Sequence, residues 1–508
     1  MERKNIYLET ALQALMTLLQ PAYLIWLLAG VVLGVCIGVL PGLGGIVAMS
    51  LVLPFIFGQD PKAALALLVG AGATTVTGDT ITCVLFGIPG TVGSMATVID
   101  GYPMARKGQA APALGGAFLA SMIGGVFGAI CIFVALPIAK PLVLSLASPE
   151  FFMLTLLGII MVGMLAGRQP IKGILSAGVG MMLAAIGGAR FTGVFRYTMG
   201  WSYLFDSVPL VVLALGIFAI PEVINMLVRG TQIATEASDA GGMKGMLEGM
   251  KSVRRNIGLV LRCSAIGAYL GFIPGLGTAV SQWVAYGHAI QSSKDKTMFG
   301  KGDIRGVIGP EATNNATIAG ALIPTMFFGI PGSGMMALVL AAFLILDIPP
   351  GRPMFTTRLD VTLSVIWSIA LANVFGMALC LLLVRPLAYL TKIRIYYLAP
   401  FILMIVVLGA FQATRHWGDL IMLLALGLLG WCMSRFGWER PPLVVGFVLG
   451  GLAERYLYLS IMGYDGIAWM IRPGVIIITL LILGSVYMGA KIRTPRPPKP
   501  VLAEEEEL

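Results

Sequence analysis

The side chains that could do chemistry are gathered around two copies of one short motif. The sequence FGIPG occupies residues 86–90 and recurs at residues 328–332, each time within apolar sequence. Hydroxyl and amide side chains crowd both copies: Thr74, Thr75, Thr77, Thr80, Thr82, Thr91, Ser94, Thr313, Asn314, Asn315, Thr317, Thr325 and Ser333. A single threonine in a helix usually donates to the carbonyl four residues earlier, which is the simpler interpretation of each one. Their clustering beside both motifs indicates a binding site made of neutral donors and carbonyl oxygens.

Four carboxylates lie at apparent membrane depth, namely Asp79, Glu222, Glu311 and Glu454. Ionisable residues in such positions are costly, so they are functional candidates. Asp79 and Glu311 precede the two FGIPG motifs and are candidates for coupling to a cation. The alternative for Glu311 is that it caps a helix start at the membrane interface. Glu222 and Glu454 lie near the ends of predicted spans, where a structural role is favoured.

A second repeated motif, PGLG, occupies residues 41–44 and 274–277 between apolar runs. Proline lacks a backbone donor and glycine tolerates positive φ, so the motif predicts a turn rather than a helix. Basic residues flank the second copy on both sides, which favours a hairpin that enters the membrane and returns. Irregular backbone at that depth must line a cavity or be buried in protein. A kink in an ordinary spanning helix is the alternative for either copy alone.

The composition predicts an all-α polytopic membrane protein. Hydrophobic residues make up 58% of the 508 residues and charged residues only 11%, well below a typical soluble protein. The net charge of +10 is attributed to cytoplasmic loops, not to nucleic-acid binding. No cleavable signal peptide is predicted, and the six scattered cysteines form no metal or disulfide framework.

The repeated motifs divide the chain into two matched halves. PGLG, FGIPG and PLVV (residues 209–212 and 442–445) recur in the same order, which indicates a duplicated unit. A polar loop is predicted at residues 100–111. The predicted regions are an amphipathic N-terminal helix 1–21, membrane repeat 1 at 22–228, a cytoplasmic linker 229–255, membrane repeat 2 at 256–460, an extra C-terminal transmembrane helix 461–490 and a disordered cytoplasmic tail 491–508.

The two repeats are predicted to have inverted topology. Each hairpin adds no net crossing, and five crossings separate the first hairpin from the second, so the second enters from the opposite face. Lysine and arginine are more frequent in the loops on the second hairpin's side, which is therefore predicted to be cytoplasmic. The N-terminus would then be periplasmic and the C-terminus cytoplasmic. Inverted repeats with broken helices are typical of secondary transporters, whose sites lie near the membrane midplane.

Five long segments give a specific family resemblance. GVLPGLGG, TGDTITCVLFGIPGT, IDGYPMARKGQA, GFIPGLGTAVSQWVAYGHA and EATNNATIAGALIPTMFFGIPGS resemble the large permease subunit of tripartite tricarboxylate transporters. The resemblance implies import of tricarboxylates or related carboxylates across the bacterial inner membrane, driven by an ion gradient. It also implies a small membrane subunit and a periplasmic substrate-binding protein as partners. By broader analogy, the hairpin tips and helix breaks would form the site of an elevator-type carrier.

The predicted site combines both motifs of both halves. No cofactor is expected beyond a coupling Na⁺ or H⁺, and whether the chain forms a homodimer stays open. Cation coupling is assigned to Asp79, Thr80, Glu311 and Asn314. Substrate binding is assigned to Pro41, Gly42, Gly44, Gly90, Thr91, Pro274, Gly275, Gly277, Thr278, Asn314, Asn315, Gly332 and Ser333. A channel with re-entrant loops is the main alternative, and an intramembrane enzyme is disfavoured because His288 and His416 are peripheral and HExxH and GxSxG motifs are absent from the sequence.

Overall fold

Helices dominate the structure, a computed structural model that describes residues 2–40, 42–91, 93–165, 169–189, 191–229, 242–390, 395–464 and 466–491. The first half contains α1 Glu2–Leu18, α2 Pro21–Gly38, α3 Gly44–Val52, α4 Pro61–Phe86, α5 Met95–Arg106, α6 Ala110–Ser145, α7 Ser148–Leu165, α8 Pro170–Ala184, α9 Leu210–Ala214 and α10 Ile220–Arg229. The second contains α11 Met243–Arg255, α12 Ile257–Phe272, α13 Gly277–Ser292, α14 Ile304–Phe328, α15 Gly334–Ile345, α16 Leu359–Leu390, α17 Ile395–Thr414, α18 Trp417–Arg435, α19 Arg440–Gly463 and α20 Pro473–Lys491.

Short irregular elements connect these helices. A π-helical turn, Leu215–Ala219, joins α9 to α10, and two-residue strands β1 (Gly187–Gly188) and β2 (Phe195–Arg196) pair antiparallel. Single 3₁₀ turns occupy Leu53–Ile56, Ser202–Asp206, Arg352–Phe355 and Ala468–Ile471.

The helical composition confirms a polytopic membrane protein. Eight helices in the described part of the chain are long and apolar enough to cross a membrane. They are Pro21–Gly38, Pro61–Phe86, Ala110–Ser145, Leu210–Val228, Leu359–Leu390, Tyr396–Thr414, Trp417–Arg435 and Arg440–Gly463. Helix α4 is buried along its whole apolar window, so it lies at the centre of the bundle rather than against lipid.

Small residues let the helix before each PGLG motif touch the long helix before each FGIPG motif. A side-chain carbon on Gly38 of α2 would lie 2.1 Å from the Thr75 carbonyl oxygen of α4. One on Gly271 of α12 would lie 2.2 Å from the Thr317 carbonyl oxygen of α14. Only glycine permits either approach, because a β-carbon cannot sit so close to a backbone oxygen. The two halves therefore use the same backbone contact at matched positions.

Both predicted helix breaks are present. Helix α4 ends at Phe86 and is capped by Gly87, and helix α14 ends at Phe328 and is capped by Gly329. The two capping glycines have φ of +67° and +69°. The amide of Ile88 donates to Thr82 and that of Ile330 to Pro324, which satisfies carbonyls at each helix end. After each break, the chain continues through proline and glycine into a short helix, α5 in the first half and α15 in the second. The turn predicted at each PGLG motif is confirmed, because one helix ends before the motif and the next begins at its last glycine.

Two stretches predicted from their polarity have more structure than expected. The loop predicted at residues 100–111 is wrong over most of its length, because α5 continues to Arg106 and α6 starts at Ala110. Its Asp100 is fully buried, which local polarity could not reveal. Residues 243–255 of the linker form α11, where Gly249 packs closely on the Pro112 carbonyl oxygen of α6. Linker residues 230–241 and tail residues 492–508 lie outside the described residues.

Candidate functional site

The two PGLG motifs (the tips, residues 41–44 and 274–277) and the two FGIPG motifs (the breaks, residues 86–90 and 328–332) meet in one place. A side-chain carbon on Gly44, at the first tip, would lie 3.6 Å from the Thr91 methyl at the first break. One on Gly45 would lie 2.4 Å from the Met335 sulfur, just after the second break. At the other tip, the Gly275 amide donates to the Gly332 carbonyl oxygen over 2.9 Å. Each tip therefore touches the break of its own half, and the first tip also touches that of the other half.

The residues that follow the second tip lie close to the first break. A side-chain carbon on Gly93 would lie 3.1 Å from the Thr278 carbonyl oxygen and 3.2 Å from Gln282 Nε2. Thr278 and Gln282 are one turn apart at the start of α13, so they share a helix face. Residues predicted from two separate motifs in two halves are thus brought into one cluster.

Asp79 holds the first break in shape. Its Oδ1 accepts the Gly90 amide at 2.6 Å, and its Oδ2 accepts the Thr91 hydroxyl at 3.1 Å. The Cys83 thiol also donates to Oδ1, at 3.4 Å. The side chain is 1% exposed, so these donors replace the water that a carboxylate normally binds. Asp79 therefore fixes the loop that carries Gly90 and Thr91.

Glu311 is held by hydroxyl groups from three other helices. Thr80 and Ser121 donate to Oε2 at 2.9 and 2.7 Å, and Thr97 donates to Oε1 at 2.7 Å. Glu311 lies inside α14, about two turns after its start at Ile304, so the helix-capping alternative is wrong. Counted back from the FGIPG motifs, Glu311 precedes Phe328 by seventeen residues and Asp79 precedes Phe86 by seven. The two carboxylates are therefore not equivalent positions of the repeat.

Three amide side chains of α13 and α14 have buried polar atoms without partners. Both polar atoms of Asn314, both polar atoms of Gln282 and the Oδ1 of Asn315 are buried without a hydrogen-bond partner. The Asn315 Nδ2 donates to Thr77 Oγ1 over 3.1 Å and to Asn373 Oδ1. Buried unpaired polar atoms are rare because each costs free energy. They are expected where a protein must bind a polar ligand.

Most of the nearby threonines serve their own helices, as the simpler interpretation predicted. The hydroxyls of Thr74, Thr75, Thr313 and Thr325 lie within hydrogen-bond distance of the carbonyl four residues earlier. Those of Thr80 and Thr317 share their single hydrogen between that carbonyl and Glu311 or Ser281 respectively. Ser333 caps the start of α15, where its Oγ accepts the Met336 amide at 3.3 Å. Clustering of hydroxyls alone therefore overstated how many could reach a ligand. Among the predicted site residues, Pro41 lies outside the described residues, while Gly42 and Gly277 have φ of +90° and +59° as their motif requires.

Sequence reasoning missed several residues of this cluster. Gln282 could have been found, because it lies one turn after Thr278 on the same face of α13. Thr97 and Ser121 carried no such signal, since neither lies in or next to a PGLG or FGIPG motif. Asp100 was placed in a loop, yet it accepts from Tyr286 of α13 at 3.0 Å and from two amides of the loop before α14. It anchors α5 to the second hairpin.

The peripheral acids and histidines have structural partners. Glu222 pairs with Arg440 at 2.6 Å, and Glu454 pairs with Arg196 at 2.9 Å. His288 accepts from Arg262 Nε at 3.1 Å on an exposed surface. His416 caps α18, where its ring nitrogen accepts the Gly418 amide at 2.9 Å.

A small void lies beside the cluster, and a large cavity lies elsewhere. Beside the breaks, a void of about 10 Å³ is lined by apolar side chains such as Met49, Ile318 and Met335. A cavity of about 730 Å³ lies near Phe57, Arg196 and Glu454, and its lining contains none of the predicted site residues. Size does not decide between them, because the unpaired amides of α13 and α14 belong to the cluster. We therefore take the cluster at the tips and breaks as the candidate site.

Fold and site together define a polytopic helical membrane protein whose polar centre is built from broken helices. A profile of the Tripartite tricarboxylate transporter TctA family matches residues 24–445, so the chain belongs to that family. It is thus a membrane component of a tripartite tricarboxylate transport system and not an enzyme. This confirms the predicted resemblance.

Two curated relatives come from Agrobacterium vitis. The chain is 31% identical over 471 residues, 92% of its length and 93% of the relative's, to an uncharacterized 52.8 kDa protein in the TAR-I ttuC′ 3′ region. It is 32% identical over 220 residues, 43% of its length and 91% of the relative's, to an uncharacterized protein in the TAR-II ttuC′ 3′ region. No solved structure matches the chain.

Proposed function

We propose that this chain imports tricarboxylates or related carboxylates by alternating access, using a Na⁺ or H⁺ gradient. Substrate would bind where the two PGLG tips meet the two FGIPG breaks. The observation that carries the proposal is the set of buried, unpaired amide atoms on Asn314, Asn315 and Gln282 at this point. In a bilayer such atoms need partners, and an anionic substrate with its coupling cation would supply them.

The site offers neutral donors instead of a buried base. Substrate binding is assigned to Gly42, Gly44, Gly90, Thr91, Pro274, Gly275, Gly277, Thr278, Asn314, Asn315, Gly332 and Ser333, with Pro41 at the first tip. Helix starts near these glycines add backbone donors and the positive ends of helix dipoles. Asp79, Thr80, Glu311 and Asn314 are the proposed cation-coupling residues. The Glu311 carboxylate suits that role because its described donors are all neutral hydroxyls, with no basic side chain to fix its charge.

Topology and location are part of the proposal. Residues 22–228 and 256–460 would be repeats inserted in opposite senses, joined by a cytoplasmic linker, in the bacterial inner membrane. The matched contacts of Gly38 with Thr75 and Gly271 with Thr317 support the duplication. Single cysteines at positions 60 and 294 should react with a membrane-impermeant maleimide from the periplasm and the cytoplasm respectively. Labelling of both from one side would rule out the inverted arrangement.

The partners follow from the tripartite family. We propose a small membrane subunit and a periplasmic substrate-binding protein, which would capture dilute substrate before delivery to this chain. Uptake of micromolar citrate by cells should depend on that binding protein. Full uptake by this subunit alone at micromolar citrate would contradict the proposed dependence.

Counterflow separates a carrier from the alternative, a channel. Proteoliposomes containing the membrane subunits and preloaded with unlabelled citrate should accumulate external labelled citrate transiently, when the binding protein is supplied. A channel only dissipates the gradient and gives no such overshoot. A panel of citrate, tricarballylate, malate and succinate tests the carboxylate class, and failure to transport all four would refute it.

A further inference from the structure

Gln282 is a fully buried amide that the fold itself leaves without partners. Its side chain is 0% exposed, and neither Nε2 nor Oε1 has a hydrogen-bond partner. Burying an unpaired amide is unfavourable, whereas leucine or methionine would fill the same space at no such cost. A residue of this kind at the centre of a membrane protein indicates a ligand that supplies both a donor and an acceptor.

The position of Gln282 connects it to the tip and break cluster. Its Nε2 lies beside Gly93, which follows the first break, and would be 3.2 Å from a side-chain carbon on that glycine. The preceding residue, Ser281, accepts the Thr317 hydroxyl of α14 at 2.9 Å. Gln282 therefore faces the first break while its neighbour Ser281 packs on the second long helix.

Asn314 of α14 is a second buried amide whose two polar atoms have no partner. At about 100° per residue, Asn314 lies roughly 60° around the helix from both Glu311 and Thr317. Glu311 contacts Thr97 of α5, besides Thr80 of α4 and Ser121 of α6, and Thr317 contacts Ser281 of α13. Asn314 therefore lies on the face of α14 between the Glu311 side, which meets α5, and the Thr317 side, which meets α13. Gln282 belongs to α13 and Gly93 lies just before α5, so both unpaired amides belong to the region where these elements meet.

A carboxylate alone cannot satisfy these amides, because it only accepts hydrogen bonds. It can accept from the N–H groups of Gln282 and Asn314, but the amide oxygens still need a donor or a cation. The coupling cation proposed at Asn314 would satisfy the Asn314 oxygen, which leaves the Gln282 Oε1 in need of a donor. A hydroxyl group next to a carboxylate provides one, since it donates to an amide oxygen while the carboxylate accepts from an amide nitrogen. The donor and acceptor of Gln282 thus match a hydroxycarboxylate better than a simple carboxylate.

We propose that Gln282, together with Asn314, binds the substrate and selects carboxylates that carry a neighbouring hydroxyl group. This inference rests on the proposed function and deepens it by assigning a residue outside both repeated motifs. Asp79 and Glu311 do not make this selection, because hydroxyl, thiol and amide groups of the protein already occupy them.

The test compares substrates that differ by one hydroxyl. Citrate and tricarballylate form one such pair, and malate and succinate form the other. For each pair that supports counterflow, the wild-type chain should have a KM for the hydroxylated member lower by about tenfold or more, the effect of one buried hydrogen bond. Gln282→Ala should raise the KM for the hydroxylated member by a similar factor and change that for the other member less than about threefold.

Controls separate a direct contact from a structural one. Gln291→Ala removes an exposed glutamine from the same helix and should leave both KM values unchanged. Gln282→Leu fills the space without polar atoms and should behave as Gln282→Ala, with uptake of the non-hydroxylated member retained as evidence of folding.

Three results overturn the inference. The wild-type chain could show no hydroxyl preference, Gln282→Ala could keep that preference, or Gln282→Ala could weaken both members of the pair equally. Failure of the wild-type chain to transport any of the four carboxylates would refute the proposed function, and the inference with it. Transport of all four with an unaltered preference in Gln282→Ala would refute the inference alone.

Discussion

Two polar clusters lie side by side at the centre of this protein and differ in how completely they are bonded. The acidic cluster, Asp79 and Glu311, accepts hydrogen bonds from hydroxyl, thiol and amide groups of its own chain. The amide cluster, Gln282, Asn314 and Asn315, retains five buried polar atoms without partners. A satisfied group stabilises the fold, whereas an unsatisfied one costs free energy until a ligand binds.

The difference teaches where to look for the substrate. Asp79 and Glu311 were predicted as functional residues because they are ionisable, and ionisable residues within a membrane are functional candidates by default. Their bonding shows that, besides the cation coupling proposed for them, Asp79 shapes the first break and Glu311 ties α14 to three other helices. The neutral amides, which look less reactive, are the groups prepared for a ligand. Four substitutions test this contrast, starting with the one expected to have the greatest effect.

Gly277→Val should reduce uptake by more than about a hundredfold. Its φ of +59° disfavours a β-branched residue, and the added side chain would enter open space at the second tip. Expression and membrane insertion should stay normal, because the backbone strain is confined to the tip and a β-carbon there would touch no group within 4 Å. Counterflow in proteoliposomes measures the loss. Gly287→Val on the same helix, also in open space, should transport normally, and equal defects in the two variants would contradict this assignment.

Glu311→Ala should destabilise the fold in addition to removing a proposed cation-coupling carboxylate. It removes the acceptor of three buried hydroxyls, those of Thr80, Thr97 and Ser121, at about 1 kcal/mol or more each. Thermal unfolding in detergent should therefore occur at a clearly lower temperature. Glu311→Gln keeps the volume and an acceptor oxygen, so most of the stability should return. If Glu311→Ala unfolded like the wild-type chain, the acidic cluster would not be the structural one.

Asn315→Ala should weaken substrate or cation affinity by about 1–3 kcal/mol, which is roughly fivefold to 150-fold. Asn315 belongs to both sides of the comparison, because its Nδ2 is bonded to Thr77 and Asn373 while its Oδ1 is unpaired. Equilibrium binding of labelled citrate over a series of Na⁺ concentrations and pH values measures the change. Asn225→Ala, on α10 away from the breaks, is the matched control. Unchanged affinities for both ligands would remove Asn315 from the site.

Arg262→Gln should have the smallest effect, less than about twofold on uptake. Arg262 lies on an exposed part of α12 with His288 as its partner at 3.1 Å, and such exposed contacts contribute little. If neutral amides hold the anionic substrate, loss of this base should not matter. A loss of citrate affinity above tenfold, measured by the same binding assay, would show that a cationic side chain supplies the binding energy instead.

The sequence alone determined the class, the family and the positions of the broken helices. A chain with 58% hydrophobic residues must place its helices in a membrane, and proline and glycine in PGLG and FGIPG cannot continue a helix. These are local properties, so they could be read without knowing which elements are neighbours. The same reasoning placed Asn314 and Asn315 in the helix that leads to the second break. It also gave hydrogen bonds from threonine hydroxyls to backbone carbonyls of the same helix as the simpler interpretation of the threonines.

Only the tertiary structure decided which polar atoms are paired. The three donors of Glu311 come from residues 231, 214 and 190 positions away, and no spacing in the sequence links them. Only the structure shows that Asp100 and Gln282 are buried, whereas the sequence alone is compatible with an exposed loop and an exposed helix face. Hydrogen-bond satisfaction depends on neighbours that folding brings together, whereas helix breaking depends on the backbone of the residue itself. The breaks were therefore predictable, and the division into a satisfied acidic cluster and an unsatisfied amide cluster was not.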